Sequence, residues 1–176
     1  MNLRCTTRML TLLGVRATTL ADGPPSQDDW CLNLLWIECR KCLLLTHAET
    51  LFPVFAADSR KAEITPIGPN VATLVEEHLR SEKLPADTLG RLDPDHVILA
   101  KTVSGSILGV VNDSATPRAL PNRSDGRNRS LQHPLFLNRY LRRALHHWSR
   151  NYVTPLDLLV SRLRFGRATV APPGRA

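Results

Sequence analysis

Residues 30–55 read WCLNLLWIECRKCLLLTHAETLFPVF, and the reading of the CRKC at their centre, Cys39 to Cys42, decides the fold. Leu32, Leu34, Leu35 and Ile37 precede it, and Leu43, Leu44 and Leu45 follow it. Two apolar runs joined by a short polar pair describe a β-hairpin buried on both faces at its middle. Arg40-Lys41 is then the turn. Positive φ at a two-residue turn favours Asn and Gly, so a longer, bulged turn is expected here. Pro53 is expected to end the ladder, because it has no N–H to donate.

The same four residues have two other readings. Structural zinc wants four ligands, commonly two short-spaced pairs. Here one CxxC exists, and Cys5, Cys31 and His47 form no second pair. A redox pair would open a helix behind a strand, where the helix N-terminus lowers the thiol pKa. This CxxC joins two strands instead. The turn is favoured, and neither a metal site nor a cofactor is expected.

Outward from the hairpin, Asn2 to Thr6 can start an edge strand. Thr6 or Thr7 caps a short helix that buries Met9, Leu10, Leu12 and Leu13 and stops at Gly14. Arg4, Arg8 and Arg16 give this segment the look of a targeting peptide, but Met9 to Val15 is a short apolar run that Arg16 closes. Asn70 reads as the cap of a helix over 70–83, with Val71, Leu74, Val75, His78 and Leu79 as its buried stripe. Pro85 opens a further short helix ending near Leu92. Residues 96–103, HVILAKTV, read as a central strand, followed by a strand-to-helix crossing. Residues 117–134 have many breakers and no period, as a mobile loop does. A helix is expected over 135–149, with Leu137, Leu141, Ala144, Leu145 and Trp148 inside. Thr154-Pro155-Leu156-Asp157 reads as a capping box opening a last helix over 154–164, and the tail 166–176 as disordered.

The predicted architecture is one α+β domain over 1–165. A small mixed sheet, made of the central hairpin and one or two further strands, is covered by helices and ends in a basic helical pair. No window approaches the roughly 18 apolar residues of a membrane span, and four cysteines in 176 residues are not a disulfide scaffold. A soluble protein of a reducing cytosol is expected.

The net charge of +7 is uneven. Residues 1–117 carry 11 Lys/Arg against 14 Asp/Glu, whereas residues 118–176 carry 12 Arg against Asp125 and Asp157 alone. Arg139, Arg142, Arg143, His146 and Arg150 fall on one side of the 135–149 helix, where guanidinium forks suit phosphate geometry. A solvated helix face would carry the same residues without any partner. An alternative polar site groups Lys101, Asn112 and Asp113, near His47, but SGSILG lacks the glycines and the GK[ST] of a phosphate loop. There is no nucleophile elbow and no HExxH, so an enzyme is the lesser reading.

Several motifs occur in a recognisable order: LRCT with ML and LG near the start, W..NLL and RKCLL.T...TLFP in the hairpin, KT...SILG..ND after it, then LNRYL and NYVTPLDLL. Together they resemble an uncharacterised bacterial family known only as a domain of unknown function, over most of residues 2–163. The resemblance implies a small intracellular α+β domain and carries over no catalytic residue. The chain departs from it at Cys31-Leu32 and at NDSATP, where Pro117 would shorten a helix. The functional expectation is a non-catalytic binding module whose Arg-rich C-terminal helices meet nucleic acid or an acidic protein.

Overall fold

Two strands carry the fold. In the computed structural model, β2 (Trp30–Ile37) and β3 (Arg40–His47) pair antiparallel from Trp30 opposite His47 to Ile37 opposite Arg40. The structure describes residues 1–20, 23–37, 39–90, 92–102, 109, 134–148 and 151–165. β2 ends at Ile37 and β3 begins at Arg40, and just before Arg40 Cys39 adopts φ 63°. Arg40-Lys41 is therefore strand, not turn, and the connection is the short one. A two-residue link needs the left-handed region, and Cys39 accepts it. Lys41 then lies opposite Trp36, its ammonium 5.6 Å from the exposed indole.

β1 (Asn2–Cys5) runs parallel to β2 on one side and to β5 (Ile98–Lys101) on the other, and β4 (Pro53–Ala56) pairs antiparallel with β3. The order β4-β3-β2-β1-β5 makes a mixed five-stranded sheet among the described residues. Two expectations are reversed by it. β1 is internal, consistent with the burial of Leu3, Arg4 and Cys5, while the supposed central strand is an edge with Ile98 exposed. Pro53 does not end the sheet either. It opens edge strand β4, where a missing N–H can face away from the partner strand.

The sheet is buried on both faces. On one, Leu3, Cys5, Trp30, Leu32, Leu34, Leu43, Leu45 and Val54 pack with Met9 and Leu10 of α1 (Thr7–Leu13) and with Val71, Val75 and Leu79 of α3 (Ile67–Ser81). The short α2 (Lys61–Ile64) precedes α3 and adds Ile64. α3 starts at Ile67 rather than at Asn70. Its Gly68 sits against the 94–97 loop, where an added Cβ would come within 2.7 Å of Val97 Cγ2. The segment after Pro85 is a turn over 86–89, not a helix. On the other face, Cys31, Cys42, Leu44 and Phe55 pack with Leu137 and Leu141 of α4 (Pro134–Arg143).

α4 is shorter than its apolar period suggests. It ends at Arg143, and β6 (His146–Trp148) pairs with β7 (Asn151–Val153) as a small hairpin. Leu145, expected inside, is exposed. α5 (Pro155–Phe165) then opens on the expected capping box. The Asp157 amide donates to Thr154 Oγ1 at 3.1 Å, and the Thr154 amide donates to Asp157 Oδ2 at 3.3 Å. Of the expected loop 117–134 only Pro134 is described, and it opens α4 instead; the rest of that loop and the tail 166–176 lie outside the described residues.

Candidate functional site

α4 is held to the sheet by polar side chains as well as by leucines. The outward backbone of edge strand β4 would be a template for another strand. Asn138 occupies it from both sides: its Oδ1 accepts from the Phe55 amide at 2.7 Å and its Nδ2 donates to the Phe55 carbonyl at 2.8 Å. One turn on, Arg142 Nε reaches the Pro53 carbonyl at 3.5 Å. The Arg142 guanidinium lies 4.5 Å over the Phe52 ring, and Nη1 pairs with Glu82 Oε1 at 2.7 Å. Arg142 is fully buried. It was expected on the outer face of the helix and is instead the pin that fixes the inner one, because Glu82 at the end of α3 neutralises it there.

The outer face of α4 presents Leu135, Phe136, Arg139, Tyr140 and Arg143, all exposed. Phe136 and Tyr140 are one turn apart, and so are Arg139 and Arg143, so rings and guanidinium groups alternate along one surface. Opposite them the chain leaves α3 through Lys83, at φ 59°. Between the two lies a groove of about 640 Å³ lined by Ser81, Glu82, Lys83, Phe136, Arg139, Tyr140 and Arg143. Partial burial alone would raise the Glu82 carboxyl. The hydrogen bonds and charges of Arg142 and Arg143 outweigh it and hold that group below its ordinary value. Arg143 reaches Glu82 Oε2 at 3.3 Å and donates to the Arg139 carbonyl at 3.0 Å.

Of the five residues read as one basic face, the structure brings Arg139 and Arg143 to this groove. Arg142 is internal, and His146 lies beyond the helix on β6. Arg150 falls outside the described residues, as do Asn112 and Asp113 of the alternative site. Lys101 ends β5 with its side chain exposed, and its carbonyl accepts from Arg4 Nη1 at 3.3 Å. Phe136 and Lys83 were missed, whereas Tyr140 already stands out in the sequence as a ring interleaved with the arginines. The signal for Phe136 was its i, i+4 repeat with Tyr140, masked by the stronger leucine stripe.

His47 is fully enclosed. It is buried against Trp30, ring centroids 5.1 Å apart. Burial first, then the Arg162 charge, push its pKa down to about 3. The Thr50 amide donates to Nδ1 at 3.4 Å, and the Thr50 hydroxyl lies 3.1 Å from the same nitrogen. Glu49 pairs with Arg162 of α5, as does Asp28 at 2.9 Å. Beside them Arg4 pairs with Asp29 and donates to the carbonyls of Gly23 and Pro24. These groups satisfy one another as a structural network.

Among the described residues no three His, Cys, Asp or Glu side chains gather as metal ligands would. Cys42 is buried under α4, whereas Cys39 is exposed at the turn. Burial pushes Cys5 and Cys31 up to about 12, with each helped by a neighbouring acidic group, the Cys31 thiol and Asp29 respectively. Such thiols stay protonated near neutrality. Among the described residues, no helix is long and apolar enough to cross a membrane.

An α+β domain with a mixed sheet, a sealed edge and a basic aromatic groove is the class defined so far. The chain belongs to the family described as a domain of unknown function, DUF6933, whose pattern matches residues 2–158. No curated protein and no solved structure matches it.

Proposed function

We propose that this chain is a non-catalytic binding module that engages nucleic acid through the outer face of α4. The observation that carries the reading is the alternation of exposed Arg139 and Arg143 with exposed Phe136 and Tyr140 beside Lys83. Guanidinium and ammonium groups take phosphate oxygens, and rings take base faces, without demanding sequence. The excess of arginine beyond residue 117 favours the approach of a polyanion.

The test is fluorescence anisotropy with labelled DNA and RNA over a salt series. Binding should weaken steeply with salt, and Arg139→Ala with Lys83→Ala should reduce the slope of log K against log salt by about 1.5–2, one phosphate contact each. Absence of binding to any DNA or RNA at low salt overturns the reading. A second reading, an acidic protein partner, is favoured by the exposed aliphatic side chains Leu135 of α4, Leu145 just beyond it, and Val160 and Leu163 of α5. Anion-dependent capture of polyglutamate without any nucleic-acid binding would select it.

A further inference from the structure

We infer that the groove between Lys83 and α4 takes single-stranded nucleic acid, with unpaired bases stacked on Phe136 and Tyr140 and phosphates held by Arg139 and Lys83. The inference rests on the nucleic-acid reading above and adds the strand state and the residues that read it.

Three features of the groove support it. The rings are four residues apart, so they repeat about every 6 Å along the helix, a pitch on the scale of one nucleotide step in an extended strand. They are also far from buried, at 57% for Phe136 and 41% for Tyr140. In a duplex the base faces are covered by each other, and two rings on a helix side would meet only backbone; an unpaired base offers its face.

The charges are divided between wall and contact. Glu82 lines the groove and would repel phosphate, but each of its oxygens carries a guanidinium, Arg142 on Oε1 and Arg143 on Oε2. The carboxylate is thereby neutralised, and Arg143 is partly committed to it. Among the described residues neither Arg139 nor Lys83 has a carboxylate partner, so both keep their donors for a ligand. The cationic contacts are few. Two phosphates give weak non-specific duplex affinity, so stacking has to supply the remainder.

The experiment compares three labelled probes at one low salt concentration: oligothymidylate, the same strand annealed to oligoadenylate, and polyglutamate. Oligothymidylate should bind about tenfold or more tighter than the duplex, as stacking of one or two bases provides. Phe136→Ala or Tyr140→Ala should cost about tenfold in single-strand affinity while leaving the duplex value unchanged, and Tyr140→Phe should restore binding. Arg139→Ala should weaken the single strand more than Arg143→Ala. All these positions are exposed, and circular dichroism of each variant confirms its fold. Equal affinity for strand and duplex, or ring variants that bind as the parent does, overturns this inference and leaves the nucleic-acid reading standing. Binding of polyglutamate alone, or of no probe, overturns both.

Discussion

Two arginine-bearing regions of this molecule use the same chemistry to opposite ends. At one end of the sheet Arg4 and Arg162 are surrounded by Asp29, Asp28 and Glu49, and every charge there is answered by another. On α4, Arg142 is answered by Glu82, while Arg139 on the same helix faces the groove. The first region is closed cement. The second is cement on its inner face and open on its outer one. Position on the helix relative to Glu82, and not residue type, decides which arginine is which.

The sharpest way to break that contrast is to remove a closed charge. Asp29→Ala should destabilise the fold by about 3–5 kcal/mol, because it strands the buried Arg4 guanidinium, and urea unfolding would measure it. Arg142→Ala should cost about 3 kcal/mol, at the low end, since Glu82 keeps Arg143. If Arg142→Ala unfolded at the parent's denaturant midpoint, the distinction between pin and contact within α4 would be lost.

Acid should find the closed region next. His47 has a folded pKa near 3 against 6.5 for the free side chain. The unfolded chain therefore binds the extra proton between those values. This contribution is whole above pH 6.5 and is lost progressively as pH falls toward 3. The Glu82 carboxyl, held low, works in the same sense: its contribution is present above its unfolded value and lost as pH drops through the folded one. His47→Asn, which keeps an acceptor near the Nδ1 position, should flatten the dependence of the urea midpoint on pH below 6.5. A curve parallel to the parent's would mean that His47 does not contribute.

The edge between the two regions gives a smaller effect. Asn138→Ala leaves the buried Phe55 amide and carbonyl without their partner and should cost about 1–3 kcal/mol. It should also raise the tendency to self-associate through β4, since the open edge is then a strand template. Sedimentation of the variant at raised concentration would report it.

The sequence made some of this legible and hid the rest for physical reasons. The hairpin could be read because its leucines run on both sides of a short polar pair, and no helix fits that pattern. Its turn was misplaced by two residues because Cys39 has no local preference for positive φ. Strand order could not be read. β1 and β5 are both short, and only the parallel pairing of Asn2 with Ile98 and Leu3 with Trp30 makes one internal and the other an edge. The end of α4 was hidden because Ala144 and Leu145 continue the apolar period that the helix itself abandons. Arg142 was assigned to the wrong face because its partner, Glu82, lies 60 residues away in the chain.

The smallest effect on stability should accompany the largest on binding. Arg139→Ala with Lys83→Ala removes two exposed charges that no described carboxylate engages. Surface changes of this kind move unfolding by less than about 0.5 kcal/mol. The paired variant should therefore unfold with the parent and yet lose most of the salt-dependent affinity for oligothymidylate. Arg142→Ala should do the reverse in kind: its loss of affinity should follow its loss of folded population, and added stabiliser such as sulfate-free sucrose should recover both together. A double variant that both unfolded early and kept full affinity would place the open charges elsewhere on the molecule.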